Sequence, residues 1–175
     1  AGGVDSVGVD TWAVDYGLLD RDGRLLGPPV HYRDDRTDGI MARVRERIGD
    51  ERLYSTTGLQ FLPFNTVYQL LAEDPSRLAA AHRLLMIPDL IVHSLTGTAG
   101  AERTNASTTQ FYDVTRGTWA VDLVADLDLP AGMLPEIHDP GTDRGRLLPA
   151  VADRVGDRDG RARVSAVGSH DTASA

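Results

Sequence analysis

Apolar residues occur along this chain both in short continuous runs and in sets spaced three or four apart, and the two patterns predict different elements. The first run, 7–19, carries the branched and aromatic residues that suit strands, with Gly17 marking a bend or a close approach rather than a break. Asp20-Arg21-Asp22-Gly23-Arg24 reads as a tight turn, and Arg24-Leu25-Leu26 can return as the second strand of a hairpin before Gly27-Pro28-Pro29 stops it. Ile40, Met41, Val44 and Ile48 then recur at helical spacing behind a cap at Thr37 or Asp38, and Gly49 can end that helix. Shorter helices are predicted over 52–57, from Asn65 or Thr66 to Leu71, over 76–81, over 88–95, and over 119–125 behind Thr118. The stretch 130–149 is irregular with strand-like pieces. Val164-Ser165-Ala166-Val167 reads as a last strand, followed by a turn at 168–172 and the first turn of a helix. Strands mixed with capped helices give an α/β or α+β class, with helices packed on a sheet as the expected layering.

The polar residues that interrupt the apolar pattern are the first candidates for chemistry. Asp10 and Asp15 lie in a run apolar enough to be buried, and a buried carboxylate needs donors, a cation or a ligand to offset its lost hydration. Either the run ends near a site, or Asp10 caps a turn and Asp15 points to solvent. Arg33-Asp34-Asp35-Arg36 has the alternating signs of a solvated surface loop. The loop 59–66 carries two Phe and two Leu around Gln60 and Asn65, so it must pack against something, as core filler or as the wall of a pocket. The small polar stretch 102–109 reads as a loop with a helix cap.

Composition narrows the chemistry further. The 175 residues are 41% hydrophobic, enough for one core, and the net charge of -8 argues against a general nucleic-acid binder. No apolar run is long enough to span a membrane and no leader pattern opens the chain, which points to a cytoplasmic protein without a membrane partner. There is no cysteine, which removes disulfides, thiolate nucleophiles and cysteine-ligated zinc. There is no lysine either, so every fixed side-chain cation is an arginine, and a Schiff-base lysine or a lysine-bearing phosphate loop is excluded.

Ser169-His170-Asp171 brings triad residue types together, but three successive side chains do not readily converge. His31, His82, His93 and His138 lack a metal-ligand motif. Asp171 alone sits where a strand turns into a helix, at the carboxyl end of a strand, where α/β sheets bind ligands and a carboxylate can act as a general base. An ordinary capping aspartate is the plainer alternative.

Taken in order, Gly8-Val9-Asp10-Thr11-Trp12-Ala13-Val14-Asp15-Tyr16, Tyr32-Arg33-Asp34-Asp35-Arg36, Gly58-Leu59-Gln60-Phe61-Leu62-Pro63-Phe64-Asn65-Thr66, Pro88-Asp89 with Leu95-Thr96-Gly97, Thr104-Asn105-Ala106-Ser107-Thr108-Thr109-Gln110 and Ser169-His170-Asp171-Thr172-Ala173-Ser174-Ala175 resemble the FGGY carbohydrate kinases over nearly the whole chain. The Asp-Thr-Trp, Gln-Phe-Leu-Pro-Phe-Asn-Thr and Ser-His-Asp-Thr pieces point, within that family, to members acting on L-rhamnulose.

The resemblance implies an actin-like, ribonuclease-H-like ATPase fold, with sugar bound deep in a cleft and ATP mostly on a C-terminal domain. It implies Asp171 as the base that takes the C1 hydroxyl proton of L-rhamnulose, and His170 and Thr172 as its sugar-contacting flanks. Ala13 stands at a sugar-contacting position that is often glycine in the family, and Gln60 and Phe61 are further candidates for the sugar wall. ATP and Mg2+ are implied as well, but the family's N-terminal Asp-x-Gly phosphate hairpin and its ATP-binding domain have no counterpart in these residues. The chain is therefore expected to be most of an N-terminal domain, cut at both ends and inactive by itself. Another sugar kinase of the family, xylulokinase- or fuculokinase-like, and a non-catalytic sugar-binding domain remain as alternatives.

Overall fold

In the computed structural model, which describes residues 3–157 and 159–175, the opening run is two strands rather than one. β1 (Ser6–Val7) and β2 (Tyr16–Leu19) are separated by an irregular stretch in which Val14 takes φ = +67°, a conformation no strand accommodates. α1 (Ile40–Ile48) buries Ile40, Val44 and Ile48 along one face, as the spacing requires. It starts from Gly39 rather than from Thr37 or Asp38, because those two residues close a 3-10 turn (Asp35–Thr37) instead. α2 (Asp50–Thr57) ends at Gly58 in the left-handed region, which glycine enters without a Cβ clash. α3 (Thr66–Leu71), α4 (Pro75–Ala80) and α5 (Ile87–Thr96) follow within a few residues of their predicted positions, and β3 (Arg83–Met86) lies between the last two.

The stretch expected to be a loop is ordered. It forms β4 (Ala101–Glu102), α6 (Arg103–Ala106) and a 3-10 turn (Ser107–Thr109). The Glu102 carboxylate organises it by accepting from the backbone N–H groups of Thr104 and Asn105. β5 (Tyr112–Asp113) pairs with β6 (Thr118–Trp119), so Thr118 belongs to a strand and α7 (Val121–Asp126) begins after it. β7 (Ile137–His138), β8 (Asp143–Arg146), α8 (Pro149–Val155), β9 (Arg163–Ser165) and α9 (Asp171–Ser174) complete the chain.

The class is mixed α/β, but among the described residues the strands make four small sheets instead of one: β1-β9-β8, β2-β3, β4-β7 and β5-β6. β2 is buried at all four positions and takes β3 as its antiparallel partner, Tyr16 opposite Met86. The expected return at 24–26 shrinks to one bridge between Leu19 and Leu25, plus Leu26 N–H donating to Leu18 C=O at 2.8 Å. The apolar β3 covers more of β2 than a segment halted at Pro28 and Pro29 could. Gly17 is a close approach, as expected: a Cβ there would lie 2.8 Å from side-chain atoms of both Leu25 and Leu90. No helix among the described residues is long and apolar enough to cross a membrane.

β1 runs parallel to β9, with Val7 opposite Val164. The two chains stay together beyond the strands, since a Cβ on Gly8 would lie 2.5 Å from Val167 Cγ1. Only a residue without a side chain lets them pass so closely. The core lies elsewhere and joins β2 and β3 to α1, α2, α3 and α7, with Leu18, Leu53, Val67, Tyr68 and Leu70 wholly removed from solvent. Leu18→Ala is expected to destabilise the protein by about 2 to 5 kcal/mol, read as a lowered urea midpoint, and an unchanged midpoint would remove Leu18 from the core.

Candidate functional site

The two ends of the described chain meet in a short parallel ladder. Thr11 N–H donates to Ser169 C=O at 3.0 Å, and Asp171 N–H donates to Thr11 C=O at 2.9 Å, bridging Thr11 to His170. Ala13 follows Thr11 by two residues, and it is Thr11 that the structure sets beside 169–171. Asp171 is the first residue of α9 and His170 is its cap, so the aspartate is not the N-cap of the plainer alternative. Its Oδ1 accepts from Thr172 N–H at 2.7 Å and Thr172 Oγ1 at 3.3 Å and lies 3.4 Å from His170 Nε2. The side chain keeps 57% of its surface exposed, and none of these contacts uses Oδ2.

The two early carboxylates part company. Asp10 is exposed, whereas Asp15 is buried and accepts from Trp12 Nε1 at 2.9 Å and Gln69 Nε2 at 3.2 Å. Between them Asp15 N–H donates back to Ala13 C=O at 2.9 Å across Val14, which at φ +67° makes a γ-turn of the rare, strained hand. A left-handed β-branched residue costs on the order of 1 to 3 kcal/mol and persists only where its surroundings hold it.

α3 does the holding. Five of its six residues are buried, so its polar side chains must find partners inside, and Thr66 Oγ1 and Gln69 Nε2 both donate to Val14 C=O, at 2.8 and 3.2 Å. Gln69 Oε1 in turn accepts from Arg36 at 3.2 Å, and Arg36 and Arg77 flank Glu73 at 3.4 and 3.2 Å. Tyr16 donates its phenol proton to Glu73 at 3.0 Å, and burial first, then the Glu73 charge, push its pKa upward. Arg36 is only 17% exposed, so it is a structural cation rather than part of a solvated loop. Thr66 and Gln69 carried no separate signal, although a glutamine between Tyr68 and Leu70 in an apolar helix is the kind of buried polar residue that requires an explanation.

The other wall candidates lie apart from this turn. Phe61 is half-buried on the flank of the core beneath the Arg45 guanidinium, 5.1 Å from its ring centroid, and Gln60 is exposed. The Gln60 contribution is its backbone C=O, which accepts from Asn65 Nδ2 at 2.9 Å. Phe64 stacks near Tyr32 at 5.4 Å.

Next to the ladder lies a small cavity of about 10 Å³, lined by Asp89, Glu102, His138, Arg144 and Ser169 among others. Asp89 accepts from Glu102 N–H at 3.2 Å. Burial raises its pKa to about 7, against the lowering effect of that hydrogen bond and of Arg144. Burial and then the Arg144 charge lower His138 to about 4, so at neutral pH its Nδ1 can accept from Arg144 at 3.2 Å.

A model of the FGGY family of carbohydrate kinases, N-terminal domain, matches residues 2–175. The chain is 45% identical over 175 residues to a protein named rhamnulokinase from Yersinia pestis bv. Antiqua (strain Angola), covering 98% of this chain and 35% of that one. A rhamnulokinase from Mannheimia succiniciproducens is 44% identical over 173 residues, covering 97% of this chain and 34% of its own. Among solved structures, gluconate kinase from Lactobacillus acidophilus superposes with a TM-score of 0.85 at 20% identity, over 94% of this chain and 34% of that one. The chain thus spans about a third of the length of the relatives it matches, and the fold is the α/β fold shared by such sugar kinases.

The buried cluster generates a pH test. Asp89 keeps its proton up to about pH 7 when folded and only to about pH 4 when unfolded, so the folded state holds the extra proton between those values. Stability from this group therefore falls as pH rises through that window, by at most about 1.4 kcal/mol per unit. Asp89→Asn lacks that loss. Its urea midpoint relative to wild type is expected to improve from pH 4.5 to 7.5, whichever protein is the more stable at the start. A difference that does not change with pH would show that Asp89 does not titrate in this way.

Proposed function

Because the chain belongs to the FGGY family of carbohydrate kinases, we propose that it supplies the general base and part of the sugar pocket of an ATP-dependent kinase acting on L-rhamnulose at its C1 hydroxyl. Identity of 45% to a protein named rhamnulokinase, over 98% of this chain, supports that substrate. The observation that carries the reading is the Thr11 ladder, because it holds Thr11, two residues before Ala13, against the strand-to-helix turn bearing Asp171. In this reading residues 1–175 are most of an N-terminal domain working in the cytoplasm, and the ATP-binding domain lies elsewhere in the full-length protein.

The chemistry then divides simply. The C1 hydroxyl donates to Asp171 Oδ2, the oxygen free of the Thr172 and His170 contacts. As the C1 oxygen forms its bond to the γ-phosphorus, the bond from that phosphorus to the ADP bridging oxygen breaks and the hydroxyl proton passes to Asp171. His170 and Thr172 flank the sugar and keep the carboxylate oriented, while Ala13 bounds the pocket from the γ-turn. ATP and Mg2+ enter through the family. Mg2+ in such sites needs only one or two carboxylates beside phosphate and water, and among the described residues no three His, Asp or Glu side chains converge on one point.

Asp171→Asn in the full-length kinase retains size and the Thr172 hydrogen bonds but not basicity, so kcat should fall about 10² to 10⁴-fold, toward the lower end where proton transfer is late. Measured kcat within about twofold of wild type at saturating sugar and ATP would refute the base. Ala13→Val narrows the wall and should raise the KM for L-rhamnulose, whereas an unchanged KM puts Ala13 outside the pocket. A panel of L-rhamnulose, L-fuculose and D-xylulose tests the substrate itself, with higher kcat/KM for either of the latter two overturning the choice.

A further inference from the structure

We propose that Glu102 is the positioning residue for Asp171, holding the segment before it in the register that aims its carboxylate at the sugar hydroxyl. The inference rests on Asp171 being the base. Glu102 is 1% exposed, and a carboxylate so far from water persists only where donors surround it. Its donors come from two sides. Thr104 N–H at 2.9 Å and Asn105 N–H at 3.3 Å belong to its own helix α6. Ser169 N–H and Ser169 Oγ, both at 2.9 Å, come from the segment that ends at Asp171.

Thr104 Oγ1 links the two sides, donating to Glu102 Oε2 at 2.5 Å and accepting from His170 N–H at 3.3 Å. Ser169 C=O is occupied as well, by Thr11 N–H at 3.0 Å and Asn105 Nδ2 at 3.3 Å. Each polar atom of Ser169 is thus held, two residues ahead of the base, and the next peptide leads directly to Asp171 N–H on Thr11 C=O.

The residue type matters. Ser169 N–H, Ser169 Oγ, Thr104 Oγ1 and Asn105 N–H converge on Oε2, while Thr104 N–H goes to Oε1. A carboxylate accepts at both oxygens, whereas an amide must turn a donor toward one set. Glu102 N–H is itself held by Asp89 at 3.2 Å, so the carboxylate stands on a fixed base. A charge-assisted set of this kind sets position sharply, and a displacement of about 1 Å at the reacting group can cost about 10²-fold in rate.

The test is a double-mutant cycle in the full-length kinase. Glu102→Gln is expected to lower kcat about 10- to 100-fold, with a smaller change in sugar KM. In the Asp171→Asn background the same substitution should cost less than about threefold more, because a residue that acts through the base has nothing left to position. Additive losses, a loss confined to KM, or a single-variant kcat within twofold of wild type would each overturn the proposal. Should Glu102→Gln fail to fold, Ser169→Ala, which removes one donor to the same oxygen, goes through the cycle under the same criteria. A silent Asp171→Asn would instead fail the base itself and this inference with it, whereas additivity with an impaired Asp171→Asn fails only the role of Glu102.

Discussion

Two backbone hydrogen bonds, Thr11 N–H to Ser169 C=O and Asp171 N–H to Thr11 C=O, set the relation between the early segment and the late one. Everything proposed for the site follows from that pairing, and the pairing in turn depends on close passage. Gly8 leaves room for Val167, and β9 is held between β1 and β8, so the late segment emerges from its sheet already aligned with the early one. The bonds are ordinary ones, each worth about 1 kcal/mol net. Their value is geometric, because they fix the peptides around Thr11 directly against those around His170.

The second constraint is strain on the early side. A valine in the left-handed region would relax if its carbonyl were released, and Thr66 and Gln69 prevent that from within the buried α3. The chain of contacts continues through Arg36, Glu73 and Arg77 to Tyr16, so the turn, the 3-10 loop and β2 are one polar unit inside an apolar shell. Because the cations are arginines, each offers planar donors to several acceptors at once. A lysine in either place would supply a single point charge.

Much of this was legible in the sequence where local rules decide the outcome. Apolar spacing located α1, and Gly49 marked its real end because a positive φ there is a local requirement. Partner choice was not legible. The adjacent return was the expected partner of β2, and β3, which pairs Tyr16 with Met86 and Leu19 with Arg83, prevailed because it buries more apolar surface. The stretch from Glu102 to Thr109 read as a loop because its helix owes its start to a buried carboxylate, and burial has no local signature. Of the residues proposed for the site, Ala13, His170, Asp171 and Thr172 stood in motifs, whereas Glu102 and the supporting Gln69 did not, since their partners lie more than 50 residues away.

The distance along the chain between the two halves of the ladder carries a consequence for biosynthesis. Thr11 leaves the ribosome about 160 residues ahead of Ser169, a delay of roughly 10 to 30 seconds at usual elongation rates. During that interval Gly8 and Thr11 have no strand to pair with, while α1, α3 and β3 are already able to close over β2. The strained turn at Val14 can therefore be locked by Thr66 and Gln69 before its partner exists, leaving a preformed edge onto which the 169–171 segment docks last. A nascent chain held short of Ser169 would carry that edge open.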